Sequence, residues 1–193
     1  MNILVRQSGS EFWLCRPDTT WEKDSEDFYV PDTITSLSYA PVLFTRICKA
    51  GKSIGKPFAS RYFERFSYGI LLYPDDYIGK GTSGFCQACC IDHTSFLPAS
   101  MYEKNMPESG KGKFSLYKNG KSIFTYGNGN IDIIDIIEKD ISEVSSLTYL
   151  RVGDIVASEL ASLSELTGTS DEKIRISGDI DGEPLLDFNI IMK

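Results

Sequence analysis

The sequence predicts a mostly-β domain with flanking helices, an α+β fold, and three observations carry that expectation. Strand-like runs of β-branched and aromatic residues, roughly nine or ten of them, outnumber two or three helical patterns. Two pairs of such runs bracket dipeptides suited to two-residue hairpin turns, Asn119-Gly120 and Asp181-Gly182. Only one segment, Ile131–Leu147, keeps a sustained helical period, with Ile133, Ile137, Ile141, Val144 and Leu147 on one face.

In chain order, Ile3–Val5 and Phe12–Cys15 read as short strands around a turn at Gln7–Ser10. Pro17–Asp27 is polar and acidic and reads as a loop anchored by Trp21. Ser38–Lys49 is rich in β-branched and aromatic residues and reads as a long strand; Pro41 removes a ladder donor, which predicts an edge or a bulge there. Ala50-Gly51-Lys52 reads as a turn. Lys56–Phe66 reads as a helix, with Pro57 in its first turn and Phe58, Tyr62 and Phe66 at helical spacing. Tyr68–Tyr73 reads as a buried strand ended by Pro74, Gly79–Gly84 as a connection and Met101–Lys113 as a surface loop. Lys113–Tyr126 is a hairpin around Asn119-Gly120. Asn130 is the expected N-cap of the Ile-rich helix, whose acids Asp132, Asp135, Glu138 and Asp140 crowd its first half, where the helix dipole favours them. Ile155–Ala157 reads as a strand, and Lys173–Lys193 as a closing hairpin. The whole chain, 1–193, reads as one domain, with 1–27 as a short N-terminal segment.

Composition bounds the function. With 20 basic and 27 acidic residues the net charge is −7, which argues against nucleic acid and against an anionic membrane surface, both of which call for a basic face. No apolar run approaches the length of a membrane span, and the N-terminus has no charged-then-apolar leader pattern. Five cysteines in such a chain read as reduced thiols of a cytoplasmic protein.

The chemistry concentrates in Ser83–Pro98, which holds Cys86, Cys89, Cys90, Asp92 and the single histidine, His93. Cys-x2-Cys and Cys-x2-His are workable zinc spacings, but the second knuckle that such sites use is absent, since Cys15 and Cys48 stand alone. In an extended segment Cys86 and Cys90 would share one face, with Cys89 on the other. A nucleophilic Cys89 would need His93 as base and Asp92 to orient it, and neighbours in sequence do not by themselves make that geometry. Buried structural thiols are the plainer reading.

Several segments, in order, resemble the fumarylacetoacetate hydrolase family. Leu150–Val156 (LRVGDIV) is similar to the first half of its "LxxGDxIxTGTP" motif, and Gly178–Lys193 to its closing hairpin. Arg46–Ile54 (RICKAGKSI), Phe58–Tyr62 (FASRY), Gly69-Ile70 and Phe12–Thr19 (FWLCRPDT) match further family segments. The resemblance implies a mixed, rolled β-sheet domain, a homodimer, and a magnesium- or manganese-dependent hydrolase or lyase acting on a small oxo acid.

The chain departs from that pattern where the chemistry lies. The family's Glu-x-Glu metal ligands correspond to Ala40 and Val42, and its lysine to Cys89. Asp76 is the only retained ligand position, too little for a hard cation. The substrate turn becomes Ser158-Glu159-Leu160-Ala161, and the family's N-terminal lid with its histidine has no counterpart among the eleven residues before Phe12. The expectation is therefore a catalytically degenerate member with a binding or interaction role and no cofactor. Its residual pocket would be lined by Asp76, Cys89, Asp92, Ser158 and Glu159, with a possible small oxo-acid ligand that Arg46, Lys49 and Lys52 could face. The alternative is a hydrolase or lyase with a site rebuilt around Asp76, Cys89, Asp92 and Glu159, using Mg or Mn.

Overall fold

The computed structural model describes residues 1–106, 112–127, 132–168 and 172–192. Among the described residues fourteen strands run in chain order: β1 (Asn2–Arg6), β2 (Trp13–Pro17), β3 (Trp21–Glu22), β4 (Phe28–Tyr29), β5 (Leu37–Ile47), β6 (Phe63–Pro74), β7 (Ser95–Phe96), β8 (Tyr102–Glu103), β9 (Phe114–Lys118), β10 (Lys121–Tyr126), β11 (Ile155–Glu159), β12 (Ser164–Thr167), β13 (Lys173–Ile180) and β14 (Glu183–Ile191). Three helices, α1 (Asp75–Ile78), α2 (Gly81–Ala88) and α3 (Ile133–Leu147), and two 3-10 turns complete the described elements.

The strands form two mixed sheets. The large one runs β2-β1-β11-β5-β6-β7-β3, with β12 beside β5 and β8 beside β6; the smaller runs β10-β9-β13-β14-β4. Most pairs are antiparallel, while β1 with β11, β3 with β7 and β4 with β14 are parallel. Between the sheets lies the main core, to which β5 and β6 send Leu37, Tyr39, Leu43, Phe66, Tyr68, Ile70 and Leu72, and β13 and β14 send Ile174, Ile176, Leu186 and Phe188. The stacked rings of Phe96 and Phe188, 3.6 Å between centroids, tie one sheet to the other. A second core covers the opposite, outer face of the large sheet, where Ala40, Val42, Phe44, Leu71 and Tyr73 pack beneath α1 and α2. Burial on both faces explains the nearly unbroken apolar sequences of β5 and β6.

Both hairpins form at the expected dipeptides. Asn119 and Gly120 have φ of 50° and 77°, and Asp181 and Gly182 of 53° and 87°, the positive values a primed turn requires. The amphipathic helix forms as Ile133–Leu147; Asp132 caps it by accepting from Asp135 N at 2.9 Å. The expected cap, Asn130, lies outside the described residues, as does Lys193 at the end of the closing hairpin.

Four expectations are corrected. Lys56–Phe66 is not a helix: a 3-10 turn covers Lys56–Arg61 and β6 begins at Phe63. The helical spacing of Phe58, Tyr62 and Phe66 coincides with a strand whose pairing to β5 starts at Ile47↔Phe63. Gly79–Gly84 is not a plain connection but the junction of α1 and α2, and Gly84 is there because a Cβ would strike Tyr77 O and Lys80. Cys86 therefore sits on a helix, and the extended geometry weighed for the thiols does not occur. Pro41 lies in a central strand, between β6 on one side and β11 and β12 on the other. Its carbonyl accepts from Leu160 N, so its donorless nitrogen points to the same side, where β11 pairing ends at Val42 and β12 pairing begins at Tyr39. The missing donor falls at that changeover.

Candidate functional site on the outer face of the large sheet

Strand pleating and register decide what the outer face can do. Side chains alternate across a strand, so Ala40 and Val42 share one face, and their directly opposed partners on β6, Leu71 and Gly69, share it too. Ala40, Val42 and Leu71 are wholly buried among Ile3, Val5, Ile155, Ala157 and Leu97. A Cβ at Gly69 would run into Phe96 O and Leu97, so the two layers touch there. The positions of β6 on this face, 69, 71 and 73, hold Gly, Leu and Tyr, and Asp75, the next in that series, accepts from Ser38 Oγ at 2.7 Å. Asp76 stands beyond them on α1, where Thr35 occupies both its oxygens through N–H (2.7 Å) and hydroxyl (2.9 Å) bonds. Those hydrogen bonds lower its pKa against the opposing effect of partial burial.

The polar groups that remain on this face form a small island. Arg16, on β2, is completely buried. Its Nη2 donates to Leu72 O (3.0 Å) and Thr94 Oγ1 (2.6 Å), and its guanidinium lies over the Tyr73 ring, 4.8 Å from the centroid. Among the described residues its Nε and Nη1 have no hydrogen-bond partner. Tyr73 OH donates to Glu159 Oε1 at 2.6 Å, and Ser8 N donates to Oε2 at 3.0 Å. Burial raises the Glu159 pKa, against the lowering effect of those two hydrogen bonds and of Arg16. Burial pushes the Cys89 thiol up to about 11, with Arg16 only partly offsetting it.

The predicted site residues therefore separate. Cys89 and Glu159 share the island. Ser158 points to the opposite face of β11 and bonds Asp140 of α3, which also meets Arg6 Nε at 2.6 Å. Asp92 and His93 line a different hollow of about 550 Å³, together with Glu22, Glu26, Asp27 and Cys90. There His93 Nδ1 is 3.3 Å from Glu22 Oε2, and Glu22 also accepts from Asp24 N at 2.7 Å. Arg46 and Lys49 lie over the rings of Trp21 and Tyr62. All five thiols are free, with Cys89 the buried one. A groove of about 560 Å³ opens at the rim of the outer face, between the β1–β2 hairpin and α1–α2, lined in part by Phe12, Leu14, Ile78, Phe85 and Cys86. Arg16 was missed in sequence because a lone arginine inside FWLCRP reads as a surface residue; its burial comes with contacts to Leu72, Tyr73 and Thr94, all distant in sequence.

This architecture is the fumarylacetoacetate hydrolase-like fold, shared by hydrolases and isomerases. The chain superposes on fumarylpyruvate hydrolase from Pseudomonas aeruginosa, solved in complex with Mn2+ and pyruvate, with a TM-score of 0.81 and 16% identity over 100% of this chain and 90% of that one. A protein assigned to the fumarylacetoacetate hydrolase family from Yersinia pestis CO92 gives 0.79 and 15% over 98% and 92%. The 2-hydroxyhepta-2,4-diene-1,7-dioate isomerase of Mycobacterium marinum gives 0.79 and 14% over 100% and 75%. No family model matches the sequence, and no curated protein matches it.

At Ala40, Val42 and Leu71 the residues do not fit a divalent metal such as the Mn2+ that one of these neighbours binds. Hydrocarbon at Ala40, Val42 and Leu71 offers no oxygen to a hard cation. Among the described residues no group of three or more His, Cys, Asp or Glu side chains is placed to hold a metal ion.

Proposed function

We propose that this chain is a catalytically degenerate fumarylacetoacetate hydrolase-like protein that binds a ligand or partner and does not carry out metal-dependent C–C hydrolysis. One observation carries the reading: at the positions of the Glu-x-Glu pair, the outer face is packed hydrocarbon, with no space or donor for a metal and an oxo acid. Calorimetric titration of the metal-stripped protein with manganese tests it directly. No binding up to millimolar metal, together with no cleavage of an acylpyruvate, is the expected result. Tight binding at one site per chain would overturn it.

The second reading is a hydrolase or lyase with a rebuilt site, using Mg or Mn. In its favour, Cys89 and Glu159 both lie beside Tyr73 in one buried island. Against it, Asp76 is committed to Thr35 and Asp92 opens into the separate hollow beside His93. Selective alkylation of Cys89 at neutral pH would favour that enzyme.

The binding reading extends to a homodimer in a reducing, cytoplasmic setting. It is supported by the fold's resemblance and by five free thiols, and a monomer in sedimentation equilibrium would remove the dimer. Among the described residues no helix is long and apolar enough to cross a membrane.

A further inference from the structure

We propose that the groove between β2 and α2 takes a small monocarboxylic acid with an apolar tail, the tail lying on Leu14, Ile78 and Phe85 and the carboxylate reaching the guanidinium of Arg16. The inference builds on the binding reading above and names the chemistry of what is bound.

Buried polar groups are almost always paired, and a buried cation with two idle donors is costly. Arg16 satisfies only Nη2 and leaves Nε and Nη1 without partners among the described residues. The nearest buried acid does not answer it, because Glu159 is already engaged by Tyr73 OH and Ser8 N. An incoming carboxylate would supply the missing acceptor through charge-assisted hydrogen bonds.

The route to Arg16 is short. Leu14, in the groove wall, and Arg16 are two residues apart on the same face of β2, roughly 7 Å along the strand. Phe85 belongs to both places: it lines the groove, and its ring stacks on Tyr73 at 5.7 Å, the same ring over which Arg16 lies. Phe85 is only partly buried, so a change of its rotamer joins groove and guanidinium. The groove's volume, about 560 Å³, suits a ligand of small-molecule size.

Charge sets the selectivity. Arg16 rejects amines, while Glu159 beside it disfavours a second negative charge, so a monocarboxylate is preferred over a phosphate or a diacid.

The test is a calorimetric titration with hexanoate, hexan-1-ol and acetate, accompanied by NMR observation of the Arg16 Nε–H resonance. Hexanoate is expected to saturate one site per chain, about tenfold or more tighter than either comparator, and to shift that resonance. Thr82→Trp fills the groove from an exposed position and is expected to weaken hexanoate about tenfold with Arg16 intact. Arg16→Gln should abolish the preference for hexanoate over hexanol. Equal affinity for hexanoate and hexanol, hexanoate binding unaltered by Thr82→Trp, or no saturation below about 10 mM would each overturn the proposal. Should Arg16→Gln fail to fold, the alcohol comparison and Thr82→Trp still decide. None of these measurements reads metal or turnover, so their failure leaves the manganese result to judge the binding reading by itself.

Discussion

Ser158 and Glu159 are neighbours in sequence, yet they enter two differently built interiors. Ser158 faces the core between the sheets, where it joins Asp140 and Arg6: the carboxylate accepts from the hydroxyl and forms an ion pair with Arg6 Nε at 2.6 Å, so charge is matched there and α3 is fastened to β1 and β11. Glu159 faces the outer core, where acid and arginine are each bonded to neutral partners and the arginine keeps two donors idle. The inner face spends its buried charge on architecture. The outer face packs hydrocarbon around a polar island, and the island retains hydrogen-bonding capacity that the fold itself does not use.

The severest way to break that contrast is to return the acids to the outer face. Ala40→Glu with Val42→Glu is expected to bury two carboxylates without partners, at a cost on the order of the chain's entire stability, about 5–15 kcal/mol, so that circular dichroism finds no cooperative thermal transition. A folded double variant that takes up manganese would show that the outer face has room for a metal pocket and that the two missing acids are what the unaltered chain lacks. On the inner face, Asp140→Ala leaves Arg6 partly buried with no acid opposite it, and urea denaturation should register a loss of about 3 kcal/mol.

A pH series sharpens the same point. Burial raises Asp140 from 3.8 to about 6, outweighing the lowering by Ser158 and Arg6. The folded chain then keeps a proton that the unfolded chain releases. This group's stabilising contribution is complete below about pH 4 and declines as pH rises to about 6, and Asp140→Asn should flatten that part of the stability curve relative to the unaltered protein. Gly69→Ala, which forces a methyl group against Phe96 O and Leu97, is expected to cost about 2 kcal/mol in the same urea measurement. The smallest effect is kinetic and leaves stability untouched. With a buried thiol near 11, Cys89 should alkylate at neutral pH far more slowly than exposed Cys86 and Cys90, and a fast-reacting Cys89 would shift weight to the enzyme reading.

What was legible in sequence followed from local chemistry. Asn119-Gly120 and Asp181-Gly182 prefer positive φ whatever surrounds them, and the Ile133–Leu147 stripe needs only a partner surface, so these elements fell where expected. Placement in three dimensions was not readable. β6 opens with Phe63 and Phe66 buried and Glu64 and Arg65 exposed, a spacing of three that breaks strand alternation and let its first residues pass for a helix. The glycines at 79, 81 and 84 read as breakers, although Gly84 permits a close helix contact. The expected pocket grouped Asp76, Asp92 and Ser158 with Cys89 and Glu159; register and strand parity send them to different places, and they bring in Arg16 instead.

The parallel pairing of β1 with β11 has a consequence for how the chain is made. Ile3 meets Ile155 across 152 residues, and the intervening chain must leave the ribosome before that ladder can close. At roughly 5–20 residues per second, the N-terminal hairpin waits on the order of ten seconds or more with one edge unpaired. β5 and β6, consecutive strands joined by residues 48–62, can zip up meanwhile and display apolar side chains on both faces. Synthesis thus includes an interval in which a sticky sheet lacks its flank, and nascent chains arrested before Ile155 should be the species that chaperones retain and proteases cut.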